Sequence, residues 1–239
     1  MALTGRVSLG KGQMKRYAIY YTPSQGAFAA AAAVWLGYDV QTGRHVGQPK
    51  VLGLSRDLAD LTAAPRKYGF HGTIKAPFRL ADGVSAADLA AAVRIVAADC
   101  AAVEMAGLHM INLEGFLAFV PMGDATALTD MAAHIVRSLD PYRAALTEPE
   151  IARRRPNDLT PRQRDLLAVY GYPYVMEEFH FHLTLTGAMS QAEHALVAPL
   201  AAAHFANLVP QPFVLGDICL MGEDAAGSFH LLHRYALLA

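Results

Sequence analysis

Two segments of the chain, residues 68–78 (YGFHGTIKAPF) and 179–187 (FHFHLTLTG), alternate polar and apolar side chains with a period of two. That period belongs to a β-strand, whose successive side chains point to opposite faces. In the first segment Gly69, His71, Thr73 and Lys75 share one face, with Phe70 and Ile74 on the other. In the second, His180, His182, Thr184 and Thr186 oppose Phe181, Leu183 and Leu185. Each strand therefore needs an apolar layer behind it. The polar rows in front, turned inward over a concave sheet, require a ligand, water or each other.

The surroundings of the two strands also repeat. The first is followed by Ser85 and Asp88, the two ends of a capping box, and by a helix over 86–99 that turns Leu89, Ala92, Val93 and Val96 to one side. Strands over 102–110 and 116–122 come next, with a turn at Gly115. After the second strand, Ser190 and Glu193 open another helix, which Pro199 is expected to kink or shorten. Strands over 212–221 and 228–238 close the chain. This is a duplication at the level of pattern, and it predicts two lobes whose His-x-Thr strands lie side by side across a pseudo-twofold axis.

Elsewhere, a strand over 16–22 stops at Pro23, a helix covers 27–36, and Leu128, Met131, Ala132, Ile135 and Leu139 mark an amphipathic helix. The stretch 141–174 holds two short helices joined by Arg153, Arg154 and Arg155. The expected architecture is α+β: a bilobal, duplicated domain over 14–239, with two antiparallel sheets and outer helices around a central cleft. Residues 1–13, which precede a second methionine at 14, read as an N-terminal extension.

Composition removes several classes of function. Two cysteines, Cys100 and Cys219, make neither a disulfide framework nor a zinc ligand set. A formal net charge of -1 gives no global basic field for coating nucleic acid, so any anion is bound locally. The longest apolar run, 27–37, falls far short of the roughly 20 residues of a bilayer helix, so no membrane partner is expected. Residues 1–13 lack the apolar core of a secretory leader, which makes the cytoplasm the expected compartment.

Two imidazoles suit proton transfer near neutral pH, one taking a proton from an attacking oxygen and the other giving one to a leaving oxygen. Threonine hydroxyls beside them can donate to phosphoryl oxygens and stabilise developing charge. Lys75 shares the His71 face, and an arginine such as Arg153 can offset an anionic substrate. His180 and Tyr20 are further candidate substrate contacts. Two other readings compete. The histidines can be held by backbone partners as ordinary structural residues. Alternatively His71, His180 and His182, with Glu178 as the carboxylate in register, can share a metal ion. The arginine run also fits a solvated helix end.

The motifs His71-Gly72-Thr73-Ile74 and His182-Leu183-Thr184-Leu185, with the flanking text YGFHGTIKAPF, LTPRQRDLL and GYPYVMEEFHFHLTLTG, resemble the two-histidine phosphoesterase superfamily. The wording looks like the branch whose genes accompany phosphonate degradation, and the resemblance runs from about Lys15 to the C-terminus. It implies a bilobal α+β fold and metal-independent hydrolysis of a phosphodiester without a cofactor, with His71, Thr73, His182 and Thr184 as the catalytic set. The expected substrate is a small phosphorylated molecule, either a cyclic phosphodiester or a phosphonate-pathway intermediate, with nucleic acid entering only as a cyclic-phosphate end. The alternatives are a binding module for phosphate or RNA ends and an accessory subunit of phosphonate degradation. Substrate, reaction direction, the division of acid and base roles, and oligomeric state stay open at this level.

Overall fold

The computed structural model describes residues 14–51, 54 and 56–239, so the expected extension 1–13 lies outside the described residues. The aromatic run at its start forms β1 (Arg16–Tyr21), buried from Tyr17 onward. Helix α1 (Ala27–Leu36) follows and ends on Gly37, whose left-handed backbone lets its N–H reach the Ala33 carbonyl. A small hairpin, β2 (Tyr38–Asp39) and β3 (Arg44–His45), and two single-turn helices, α2 (Leu58–Leu61) and α3 (Ala63–Arg66), lead to β4 (Gly72–Phe78), the first histidine strand.

The complete Ser85–Asp88 capping box starts α4 (Ala86–Ala97), which buries Leu89, Ala92, Val93 and Val96. Then come β5 (Val103–Met105), β6 (Gly107–Leu113), β7 (Phe116–Met122) and α5 (Thr126–Leu139). Thr147 and Thr160 cap α6 (Glu148–Arg153) and α7 (Pro161–Tyr170), the two short helices expected in that stretch. The second histidine strand, β8 (Leu183–Thr184), precedes α8 (Gln191–His204), β9 (Phe213–Leu215), β10 (Asp217–Glu223) and β11 (Phe229–Ala236).

The main sheet has seven strands in the order β11-β10-β1-β4-β8-β7-β6, and every neighbouring pair is antiparallel. The α+β class with helices against the sheet is as expected: α4 packs on β10 and β11, α5 on β4, and α8 on β7. The two antiparallel sheets expected for two lobes are joined, because β4 and β8 pair directly and make the halves continuous. Between sheet and helices lies the core, with Ile19, Ile74, Leu183 and Leu220 from strands meeting Leu89, Ile135 and Val197 from helices.

The duplication is visible in who pairs with whom. β4 pairs with its counterpart β8 through Gly72↔Leu183, and β5 pairs with its counterpart β9 through Glu104↔Val214. Equivalent segments pairing with each other, antiparallel, is what a local twofold axis produces. This also explains why the strands expected over 102–110 and 212–221 are each broken, at Ala106 and at Gly216. Their first three residues leave the main sheet to pair with one another.

Two other expectations change. The strand expected over 179–187 keeps only two residues in the ladder. Helix α8 runs through Pro199 without ending. Both Pro199 and Ala195, whose carbonyl loses its usual donor, are exposed, so the carbonyl without its helix partner is not sealed in the core.

Candidate active site

The site follows from the register of the two central strands. Gly72 opposite Leu183 pairs the middle residues of the two His-x-Thr triplets. Continuing that register by one residue each way sets His71 opposite Thr184 and Thr73 opposite His182, all on one face. Strand geometry then puts the four residues at the corners of a square with the histidines on one diagonal, their backbones about 7–8 Å apart. The middle positions hold the other face: Leu183 is fully buried, and the Phe181 ring lies so close to Gly72 that a Cβ there would sit 2.3 Å from it.

Both imidazoles are anchored in the same way. His71 Nδ1 lies 2.8 Å from the Gly69 carbonyl oxygen, and His182 Nδ1 lies 2.9 Å from that of His180. A carbonyl only accepts, so each Nδ1 carries hydrogen and donates, and each neutral ring leaves its lone pair on Nε2. The backbone-held reading therefore applies to one nitrogen of each ring and leaves the other free for chemistry. Gly69 makes the first anchor practicable: its φ is 71°, in the left-handed region, and a Cβ would meet Val40 at 2.6 Å.

The environments of the two histidines differ. Tyr20 stacks on His71 with ring centroids 4.0 Å apart, and Tyr68 lies 5.7 Å away. Burial pushes the His71 pKa down to about 4, the bond to Gly69 opposes the shift, and the His182 charge adds to it. His71 is thus neutral at pH 7. His182 lies beside the ring of Phe116, a cleft residue, with centroids 5.9 Å apart, and is not itself among the residues lining the cleft.

The cleft has a volume of about 520 Å³. His71, Thr73 and Thr184 lie along it, with Tyr20, Tyr68 and Tyr172 in its wall and Arg16, Arg153 and Arg154 bringing positive charge. Tyr20 is 1% exposed and presents its ring to His71, so its contact is with the histidine. Arg153 is exposed along the cleft. Thr186, beyond Thr184 on the same row, is buried, and its hydroxyl accepts from the Leu117 N–H at 2.9 Å.

Lys75 and His180 lie elsewhere. The β1–β4 pairing steps from Tyr20↔Thr73 to Ile19↔Lys75, two residues on β4 against one on β1. This bulge reverses the alternation beyond Thr73, so Ala76 reaches the cleft and Lys75 turns to the helix side. There Lys75, 3% exposed, donates to the Val136 carbonyl at 3.3 Å and to Asp140 Oδ1 at 3.1 Å. Burial lowers its pKa, against the attraction of Asp140. His180 is exposed and outside the cleft lining, with Nδ1 3.1 Å from the Glu178 carbonyl. The Glu178 carboxylate accepts from Gln163 Nε2, and no metal-ligating group of three forms among the described residues.

Arg16 carries no motif in the sequence, Tyr172 is visible there only within the text that flanks the second histidine strand, and Arg154 only as one of three consecutive arginines. Their place in the site comes from packing. No helix among the described residues is long and apolar enough to cross a membrane.

A family model described as "Protein of unknown function (DUF1045)" matches residues 73–230. Two curated relatives are both named ribose 1,5-bisphosphate phosphokinase PhnN. The protein from Janthinobacterium sp. (strain Marseille) is 36% identical over 93% of this chain and 50% of its own length. That from Laribacter hongkongensis (strain HLHK9) is 34% identical over 93% of this chain and 52% of its own length. The chain thus spans about half the length of these relatives. Among solved structures, it is similar over 95% of its length to a phosphoesterase (TM-score 0.43, 12% identity, 100% of that chain). It is likewise similar to E. coli LigT complexed with NADP+ (TM-score 0.44, 13% identity, 99% of that chain).

Proposed function

The chain belongs to the DUF1045 family, and from that premise we propose that it is a phosphodiesterase acting on a small, cyclic phosphodiester by two-histidine acid–base catalysis. The observation that carries the reading is the pairing of Gly72 with Leu183, which by strand geometry sets His71 opposite Thr184 and Thr73 opposite His182. Two Nδ1-anchored imidazoles on one diagonal are offset by two hydroxyls on the other.

In this mechanism neutral His71 takes a proton from water through Nε2 as the water oxygen attacks phosphorus. Protonated His182 gives its Nε2 proton to the leaving oxygen, so one P–O bond forms and one breaks, and a phosphomonoester leaves. Thr73 and Thr184 donate to the non-bridging oxygens, where charge grows in the transition state. No metal ion or cofactor takes part in these steps. The division of roles rests on environment: a ring that resists protonation is the base, and the more open ring supplies the proton.

The relatives' name points to phosphorylated ribose as the substrate class, and the flanking sequence points to phosphonate breakdown as the setting. About half of each relative lies outside the match, and this chain contains no GxxxxGK[S/T] phosphate loop, so we assign the kinase activity in their name to that other half.

The test is a panel of 2′,3′-cyclic nucleotides, cyclic ribose phosphates and phosphonate esters, followed by phosphorus NMR. At least one cyclic diester should open to a monoester. His71→Ala and His182→Ala should each slow it by about 10²- to 10⁴-fold, with the double variant losing far less than the product. A double variant with full activity would sink the assignment.

A further inference from the structure

The positive charge of the cleft exceeds what the reacting group needs. A cyclic phosphodiester carries one negative charge, and one protonated histidine at the square balances it. The other charged residues of the cleft lining are a separate set. Glu150 is neutralised by Arg79, and Arg16 is paired with Glu223. Arg153 and Arg154 have no carboxylate partner among the described residues, although both line the cleft. Two positive charges are left over.

Arg154 is also held in place. Its guanidinium lies over the Tyr172 ring, 4.8 Å from the centroid, which limits the rotamer freedom a ligand would have to freeze. Tyr172 lines the same cleft as Tyr68, and Tyr68 lies 5.7 Å from His71. Both aromatic side chains share the cleft with His71 and Arg154. A ligand that fills this cleft of about 520 Å³ can therefore meet His71 and Arg154 together.

We propose that Arg154, supported by Arg153, forms a second anion subsite that takes a phosphomonoester, so that the preferred substrate is a cyclic sugar phosphodiester carrying another phosphate. A phosphomonoester near pH 7 bears about -1.5 to -2 charge, which matches the two unpaired arginines. Its three oxygens suit the planar fork of a guanidinium. The proposal rests on the diester reading for the identity of the first subsite.

The test reads binding alone, so it stands apart from turnover. Titration calorimetry would compare ribose 1,5-bisphosphate with ribose 1-phosphate and ribose 5-phosphate as probes. The bisphosphate should bind about 10- to 100-fold tighter than either monophosphate, the scale of one or two charge-assisted hydrogen bonds. In Arg154→Met that advantage should shrink toward one, and in Arg154→Lys it should be partly kept. Equal affinity for the three probes in the unmodified protein would overturn the proposal, and so would an advantage that survives Arg154→Met. Tighter binding of adenosine 2′,3′-cyclic phosphate than of the bisphosphate would also overturn it, assigning Tyr68 and Tyr172 to stacking on a base. A bisphosphate advantage without turnover of any cyclic diester would uphold the second subsite and remove the phosphodiesterase reading.

Discussion

His71 should remain neutral in solution well below the pH at which an ordinary histidine gains its charge. With a pKa of about 4, it is ~1% protonated at pH 6, whereas a ring at ~6.5 would be ~75% protonated. The cause is the cover provided by Tyr20 and Tyr68, so uncovering the ring should restore part of the lost basicity. Tyr68 is only half-buried, and Tyr68→Ala opens one side of His71 without excavating the centre of the sheet. The pKa should then rise by on the order of one unit, about 1.4 kcal/mol of differential solvation. The assay is nitrogen-detected NMR of the histidine rings across pH, which reports both tautomer and titration. Unmodified His71 should show hydrogen on Nδ1 and a free lone pair on Nε2 down to about pH 5. The sign for stability follows from the depressed value. Between the unfolded pKa of ~6.5 and the folded value the unfolded chain binds more protons, so stability falls as pH drops through that window, by at most ~3 kcal/mol. Titration of His71 at its ordinary value, hydrogen on Nε2 instead of Nδ1, or a pKa unmoved by Tyr68→Ala would each refute the reasoning.

Gly72→Ala should destabilise the protein by about 1–3 kcal/mol, because the new methyl group meets the buried Phe181 ring and forces the central strands apart; an unchanged denaturant midpoint would contradict the packing described. Lys75→Met should lower the melting temperature by removing one partner of Asp140, which Arg143 still holds, and leave KM unchanged. A raised KM with an unaltered melting curve would return Lys75 to the cleft. Turnover of a cyclic diester should survive EDTA, since the proposed electrophilic help comes from hydroxyls and side-chain cations; activity lost to chelation and recovered with zinc or manganese would transfer the site to a metal.

The sequence by itself determined which side chains share a face. Period-two alternation through His71 and Thr73, and through His182 and Thr184, is a consequence of covalent strand geometry and needs no knowledge of neighbours. The capping boxes at Ser85 and Ser190 are local in the same sense, and they set the helix starts where the structure has them. The repeated order of elements is legible for a similar reason, since each copy writes its own local pattern.

What only the tertiary structure decided is the register between strands distant in the chain and the contacts that follow from it. Pairing Gly72 with Leu183 joins residues 111 positions apart, and no local preference specifies that register, yet it places each histidine opposite the other motif's threonine. The bulge between β1 and β4 is a mismatch between two strands, so alternation read along one of them put Lys75 on the wrong side. The pairing of β5 with β9 broke two strands that read as continuous, and packing alone brought Arg16, Arg154 and Tyr172 to the cleft. Side-chain direction within an element follows from bond geometry over two or three residues, whereas register, bulges and the meeting of distant elements are settled by the free energy of packing the whole sheet against its helices.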